Sequence, residues 1–219
     1  MIKKRAYFFI CLIALMSNVG CLAVSAFNLI SFDEEIAQIR YNVTAIEHIY
    51  SKNDNAGKTR AYEELIKKAD KLVVQYPDRA EPYVWEGIAL SAQAKYKGIG
   101  AISNVNTAKA LLEKSVKINP DASGAAGLNA LGMLYYKVPA WPVSFGNDKK
   151  AQEYFYRALS ISSNLDTNYR YGEFLLEESK IKEGLSYLNK ALNFPLRSGR
   201  KEDPLKKEDI KKLIEKYKG

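Results

Sequence analysis

Leu128-Asn-Ala-Leu131-Gly132-Met-Leu-Tyr135, followed further along by Ala151-Gln-Glu-Tyr-Phe155-Tyr-Arg-Ala158, is the stretch that decides the fold. In its second part a small residue is followed by a large one four places on and another small one three further. That spacing sets all three on one stripe of an α-helix. A glycine late in the preceding helix lets the two backbones approach, and the large side chain fills the space between them. The pattern occurs twice more, as Gly87 with Ala108, Leu112 and Ser115, and as Gly172 with Gly184, Leu188 and Ala191. Recurrence at tens of residues predicts a solenoid of helix pairs. The expected fold is all-α: a right-handed array of three to four pairs with a C-terminal capping helix.

Outward from that stretch, helical periodicity continues in both directions. Phe32 to Lys52 carries Ile36, Ile39, Val43, Ile46 and Ile49 at helical intervals. Lys58 to Gln75 stops before Pro77 and keeps a degraded copy of the stripe in Leu65, Ala69 and Leu72. Glu81-Pro82 opens a helix with Tyr83, Gly87 and Leu90 on one face, and Ala108 to Ile118 is its partner. Lys149 to Ile161, Leu165 to Glu178 and Ile181 to Asn193 follow. Asp203-Pro204 reads as a cap and first turn, ahead of an apolar stripe of Leu205, Ile210, Leu213, Ile214 and Tyr217. No strand-like alternation competes.

The units differ in length. Gly172 and Gly184 are twelve apart, Gly87 and Ala108 twenty-one, and Gly132 and Ala151 nineteen. The first two units therefore carry nine and seven extra residues, around Lys95–Asn104 and Lys137–Gly146. Turns within successive units emerge along one edge, so these insertions are expected to be neighbours and a binding surface. Trp141, held between Pro139 and Pro142, and Phe145 are its candidate anchors, with Tyr96 and Lys97 from the first insertion. The opposing reading has Trp141 and Phe145 folding inward to fill space between helices. Projecting the first helices onto an inner groove adds Asn129, Tyr136, Lys137, Tyr169 and Glu173, with Glu81, Ser91 and Glu177. Tyr83, Tyr135, Tyr154 and Tyr187 fall on packing stripes and read as core.

Residues 1–26 read as a signal peptide ahead of a repeat domain over 27–219. Lys3, Lys4 and Arg5 precede an uncharged apolar run, and Val24-Ser25-Ala26 supplies small residues for cleavage. This makes the expected location the soluble periplasm. The alternative is lipidation of Cys21 after Gly20, against which Asn18 stands where an aliphatic residue is expected. Cys11 and Cys21 both lie in this leader, so cleavage after Ala26 leaves no thiol for a disulfide, metal or nucleophile. Losing the leader also lowers the formal charge from +8 to +5. From Arg197 onward nine basic residues face five acidic ones, which reads as a solvated basic end and not a nucleic-acid surface. His48 is the single histidine and has no partners suited to a metal or acid–base pair, so no cofactor and no catalysis are expected.

Leu128-x2-Leu131-Gly132-x2-Tyr135 is close to the first-helix signature of the tetratricopeptide repeat (TPR), with Leu128 in the position of the usual Trp. Three longer stretches carry a wider resemblance. They are Tyr76-Pro-Asp-Arg-Ala-Glu-Pro-Tyr-Val-Trp-Glu-Gly-Ile-Ala-Leu90, Leu131-Gly-Met-Leu-Tyr-Tyr-Lys-Val-Pro-Ala-Trp-Pro-Val-Ser-Phe-Gly-Asn-Asp-Lys-Lys-Ala151 and Asn168-Tyr-Arg-Tyr-Gly-Glu-Phe-Leu-Leu176. Across about Tyr76 to Leu192 the chain resembles exported bacterial TPR proteins similar to the T component of tripartite ATP-independent periplasmic (TRAP) transporters. The resemblance implies a helical periplasmic protein that associates with a solute-binding subunit, with self-association also implied. The expected function is thus a non-catalytic protein-binding scaffold, accessory to TRAP-type solute uptake. The alternatives are a small-molecule binder with a pocket beneath the two inserted loops, and an envelope-assembly adaptor.

Overall fold

The computed structural model describes residues 32–98 and 100–218. The expected signal peptide and Cys21 lie outside them. The chain divides into two compact units, 1–38 and 39–219. In the smaller unit the described residues, 32–38, are helical. The larger unit opens with helical residues 39–49, named α1 here. It continues through α2 (Asn55–Gln75), α3 (Ala80–Lys97), α4 (Ala101–Ile118), α5 (Ala122–Lys137), α6 (Asp148–Ile161), α7 (Leu165–Glu177), α8 (Ile181–Asn193) and α9 (Asp203–Lys218). Among the described residues there is no strand, and none of the helices is long and apolar enough to cross a membrane. The fold is an all-α, TPR-like solenoid: α1/α2, α3/α4, α5/α6 and α7/α8 are the pairs and α9 is the cap.

The small–large–small stripe sits where its spacing places it. Ala108, Leu112, Ser115, Ala151, Phe155, Ala158, Leu188 and Ala191 are all fully buried. A β-carbon at Gly132 would come within 2.8 Å of the Phe155 ring, so the helix pair closes only over glycine. One apolar core runs through the middle units, from Leu90 and Leu112 past Leu131 and Phe155 to Phe174 and Leu175. A second joins α7 and α8 to α9 through Leu165, Leu188, Ala191, Ile210 and Ile214. Tyr83 and Tyr135 are buried, while Tyr154 and Tyr187 pack at the edge of the core half-buried.

Two features depart from the sequence expectation. The first insertion is not a loop. Its residues lengthen α3 and α4 to 18 residues each, leaving a turn in which Gly98 and Gly100 take φ of 61° and 90°. Left-handed backbone of this kind explains the glycines. Asp203 does not serve as a simple N-cap. Its carboxylate accepts from Arg197 Nε (2.9 Å), Nη2 (2.6 Å) and backbone N (3.0 Å), while Lys206 N donates to Glu202 O as the first helical bond (3.1 Å).

The start of α5 holds the backbone's least expected geometry. Ser123, Gly124 and Ala125 are consecutive left-handed residues, with φ of 55°, 73° and 60°. For non-glycine residues this costs about 1–2 kcal/mol each. Neighbouring repeats hold the turn: Trp85 Nε1 donates to Ser123 Oγ (3.1 Å) and Asn164 Nδ2 donates to Gly124 O (3.0 Å). Asn164 itself caps α7 in a reciprocal box with Thr167.

Candidate functional site

The second insertion is a folded loop that divides its two aromatic residues. Its neck is closed by Gly146 N donating to Pro139 O (2.9 Å) and Asn147 N donating to Tyr135 O (2.8 Å). At the tip, Val143 N and Ser144 N both donate to Ala140 O. Phe145 turns inward, its ring 5.2 Å from that of Tyr135 in an edge-to-face arrangement and 5.6 Å from Lys109 Nζ on α4. Trp141 turns outward and is 86% exposed, with Val143 beside it at 60%. Phe145 therefore does the space-filling that the opposing reading gave to both rings. Trp141 is left as a large apolar side chain on an anchored backbone.

Tyr96 and Lys97, the candidates from the first insertion, have internal partners. Lys97 Nζ donates to Asn104 Oδ1 (3.1 Å), Asn104 Nδ2 to Gln93 Oε1 (2.6 Å), and Gln93 Nε2 to Thr59 O (3.1 Å). This polar chain ties α4 to α3 and α3 to α2. Tyr96 Oη donates to Glu47 Oε2 (2.6 Å), and its ring stacks on Tyr62 at 6.3 Å.

The inner-groove candidates lie on α5 and α7. Asn129 is buried and donates from Nδ2 to Asp166 O (3.3 Å), so it joins helices and offers little to a ligand. The Tyr136 ring meets Phe174 edge-on at 5.0 Å, and burial pushes its hydroxyl up to about 12. Lys137 pairs with Glu177. Tyr169 is buried with Arg170 over its ring at 4.5 Å, and Arg170 Nη1 donates to Glu173 Oε2 (2.7 Å).

The groove these residues were expected to line is bordered by a contact between α1 and the entry to α9. Arg40 on α1 donates from Nε to Glu202 Oε1 (2.7 Å) and from Nη2 to Gly199 O (2.7 Å). Further along, His48 Nε2 lies 3.2 Å from Asp209 Oδ2 on α9. The two pairs advance together along both helices, so α1 and α9 run parallel and touch. The contacts α1–α3, α3–α5, α5–α7, α7–α9 and α9–α1 thus form a circuit of inner helices. The C-terminal side of that circuit is locked by ions. Asp166 accepts from Arg197 (2.8 Å) and Lys206 (2.5 Å), and these charges hold its carboxyl well below the usual range against the effect of burial.

Inside the circuit is a cluster of charges, most of which sequence projection missed. Glu47 accepts from Tyr62 Oη (2.8 Å) and Tyr96 Oη, with Lys58 Nζ at 3.6 Å. Burial opposes its ionisation, but those hydrogen bonds and the Lys95 and Lys58 charges lower its pKa. Burial likewise opposes ionisation of Glu173, and Arg170, Lys137 and Lys95 more than compensate. Lys95 responds the other way. Burial, then the like charge of Arg170, hold its ammonium below the ordinary value despite Glu47 and Glu173. The available signal for Arg170 was its three-residue spacing from Glu173. Glu47 and Lys95 had none, since their neighbours are brought together only by the turn of the solenoid.

No family model matches the chain, and no curated protein matches it. Among solved structures it is similar to TTC0263, a thermophilic TPR protein in Thermus thermophilus. The identity is 17% and the TM-score 0.55, over 90% of this chain and 95% of that one. Likeness at this identity concerns the fold, and it agrees with the all-α repeat solenoid seen here.

Proposed function

We propose that the protein is an exported, non-catalytic scaffold that docks a protein partner through the 138–147 loop, with Trp141 as the anchor. The observation that carries this reading is the 86% exposure of Trp141 on a backbone fixed at neck and tip. Leaving a Trp in water forgoes much apolar burial, and a preformed loop loses little entropy when a partner covers it. The leader-like 1–26 segment supports a periplasmic location. The Val-Pro-x-Trp-Pro-x-x-Phe-Gly sequence supports an accessory role in TRAP-type uptake, with a solute-binding subunit as partner.

The test is the affinity of purified mature protein for a solute-binding subunit recovered with it from envelope extract. Trp141→Ala is expected to weaken that binding tenfold or more, within the range of about 1–3 kcal/mol for an anchor residue. Unchanged affinity would remove the loop from the interface.

A further inference from the structure

We propose that the Arg40–Glu202 ion pair is a latch on the solenoid. While it holds, α1 and α9 meet; when it breaks, the two ends part and uncover the inner face of α7 and α9. The geometry at the junction leads there. Glu202 is fully buried, and its Oε1 accepts from Arg40 Nε (2.7 Å), with Arg200 Nη1 at 3.6 Å and Lys206 Nζ at 4.0 Å. Its Oε2 is buried with no hydrogen-bond partner. Asp166 and Asp203 complete the group through Arg197 and Lys206. Four cations, Arg40, Arg197, Arg200 and Lys206, therefore meet three carboxylates, Asp166, Glu202 and Asp203.

Of these seven charges only Arg40 comes from α1. When it leaves, the remaining three cations and three acids balance. Glu202 keeps Arg200 and Lys206 as neighbours, and its unpartnered oxygen gains water. A buried carboxylate with an unmet oxygen carries a desolvation cost that hydration removes, so breaking this pair strands no charge on the α9 side. The other inner contacts are held by apolar packing. Leu165, Leu188, Ala191, Ile210 and Ile214 join α7 and α8 to α9, and Leu131, Tyr135, Tyr171 and Phe174 join α5 to α7. Further along α1, His48 Nε2 lies 3.2 Å from Asp209 Oδ2, and both side chains are partly open to water. Opening thus leaves α9 on α7 and moves α1. It uncovers a cleft lined by Tyr169, Glu173, Asp209 and Lys212. The inference is independent of the Trp141 loop.

The experiment is pulsed electron paramagnetic resonance on the mature protein, with nitroxides at Asn53→Cys and Lys211→Cys, both exposed in the parent. A short distance should predominate in the parent. In Arg40→Gln, and likewise in Glu202→Gln, a longer distance should become the majority while helix content by circular dichroism stays that of the parent. Trp141→Ala should leave the distances unchanged. A distance that neither latch substitution alters would overturn the proposal. A variant that lost helix content in place of separating its ends would also overturn it, because the pair would then hold up the fold and not close it.

Discussion

The two insertions add similar lengths of chain at equivalent places in successive units, yet one became helix and the other a loop. Lys95–Asn104 contains no proline, and its residues extend α3 to Lys97 and start α4 at Ala101. Lys137–Gly146 contains Pro139 and Pro142, neither of which can supply the N–H that a continuing helix needs. The first insertion thus lengthens the scaffold, and its polar side chains bond to one another. The second leaves the helical lattice and carries its own plug, Phe145, beneath an exposed Trp141.

The comparison breaks most visibly if a proline is placed in the first insertion's helix. Asn106 is exposed on α4, in a stretch that residue counting leaves outside the partner helix. Asn106→Pro removes a backbone bond inside α4 and is expected to cost about 3 kcal/mol or more in urea denaturation. A cost below about 1 kcal/mol would mean that this stretch tolerates loop geometry after all.

A pH dependence is also expected from α3, the helix that carries the first insertion. Glu86 is buried, its Oε2 has no hydrogen-bond partner, and burial followed by the Asp70 charge pushes its pKa up to about 7 from 4.5. The folded state therefore holds a proton that the unfolded chain releases, so stability falls as pH rises from about 4.5 to about 7 and then levels. The swing corresponds to about 3 kcal/mol and should vanish in Glu86→Gln. Melting curves between pH 5 and 8.5 check it, and a flat profile in the parent protein would refute it. Asp166 and Asp203, whose pKa values are lowered by their basic partners against burial, act oppositely. Their contribution is lost only in stronger acid, as pH falls below the ordinary carboxylate range.

Much of this was legible in the residues because it is local. The Gly132–Phe155 fit and its repeats follow from spacing along a helix, as does the buried face of α9 at Ile210 and Ile214. Counting residues between markers gave the length of each insertion but not its form, although the presence or absence of proline was there to read. The left-handed turn at Ser123–Ala125 depends on Trp85 and Asn164, each about forty residues distant. The inner circuit depends on Arg40 meeting Glu202 and His48 meeting Asp209, at opposite ends of the chain. No periodicity reports such contacts, so projection left open a groove that the α1–α9 contact in fact borders.

The division of labour within the second insertion is the claim on which the scaffold reading stands, and paired denaturation of two variants tests it most directly. Phe145→Ala is expected to lose about 2–4 kcal/mol of stability, as emptying a packed aromatic site does. Trp141→Ala is expected to stay within about 0.5 kcal/mol of the parent, as a side chain that touches little should. Equal, large losses in both variants would mean that Trp141 is part of the packing, and the loop would then be a plug and not a docking surface.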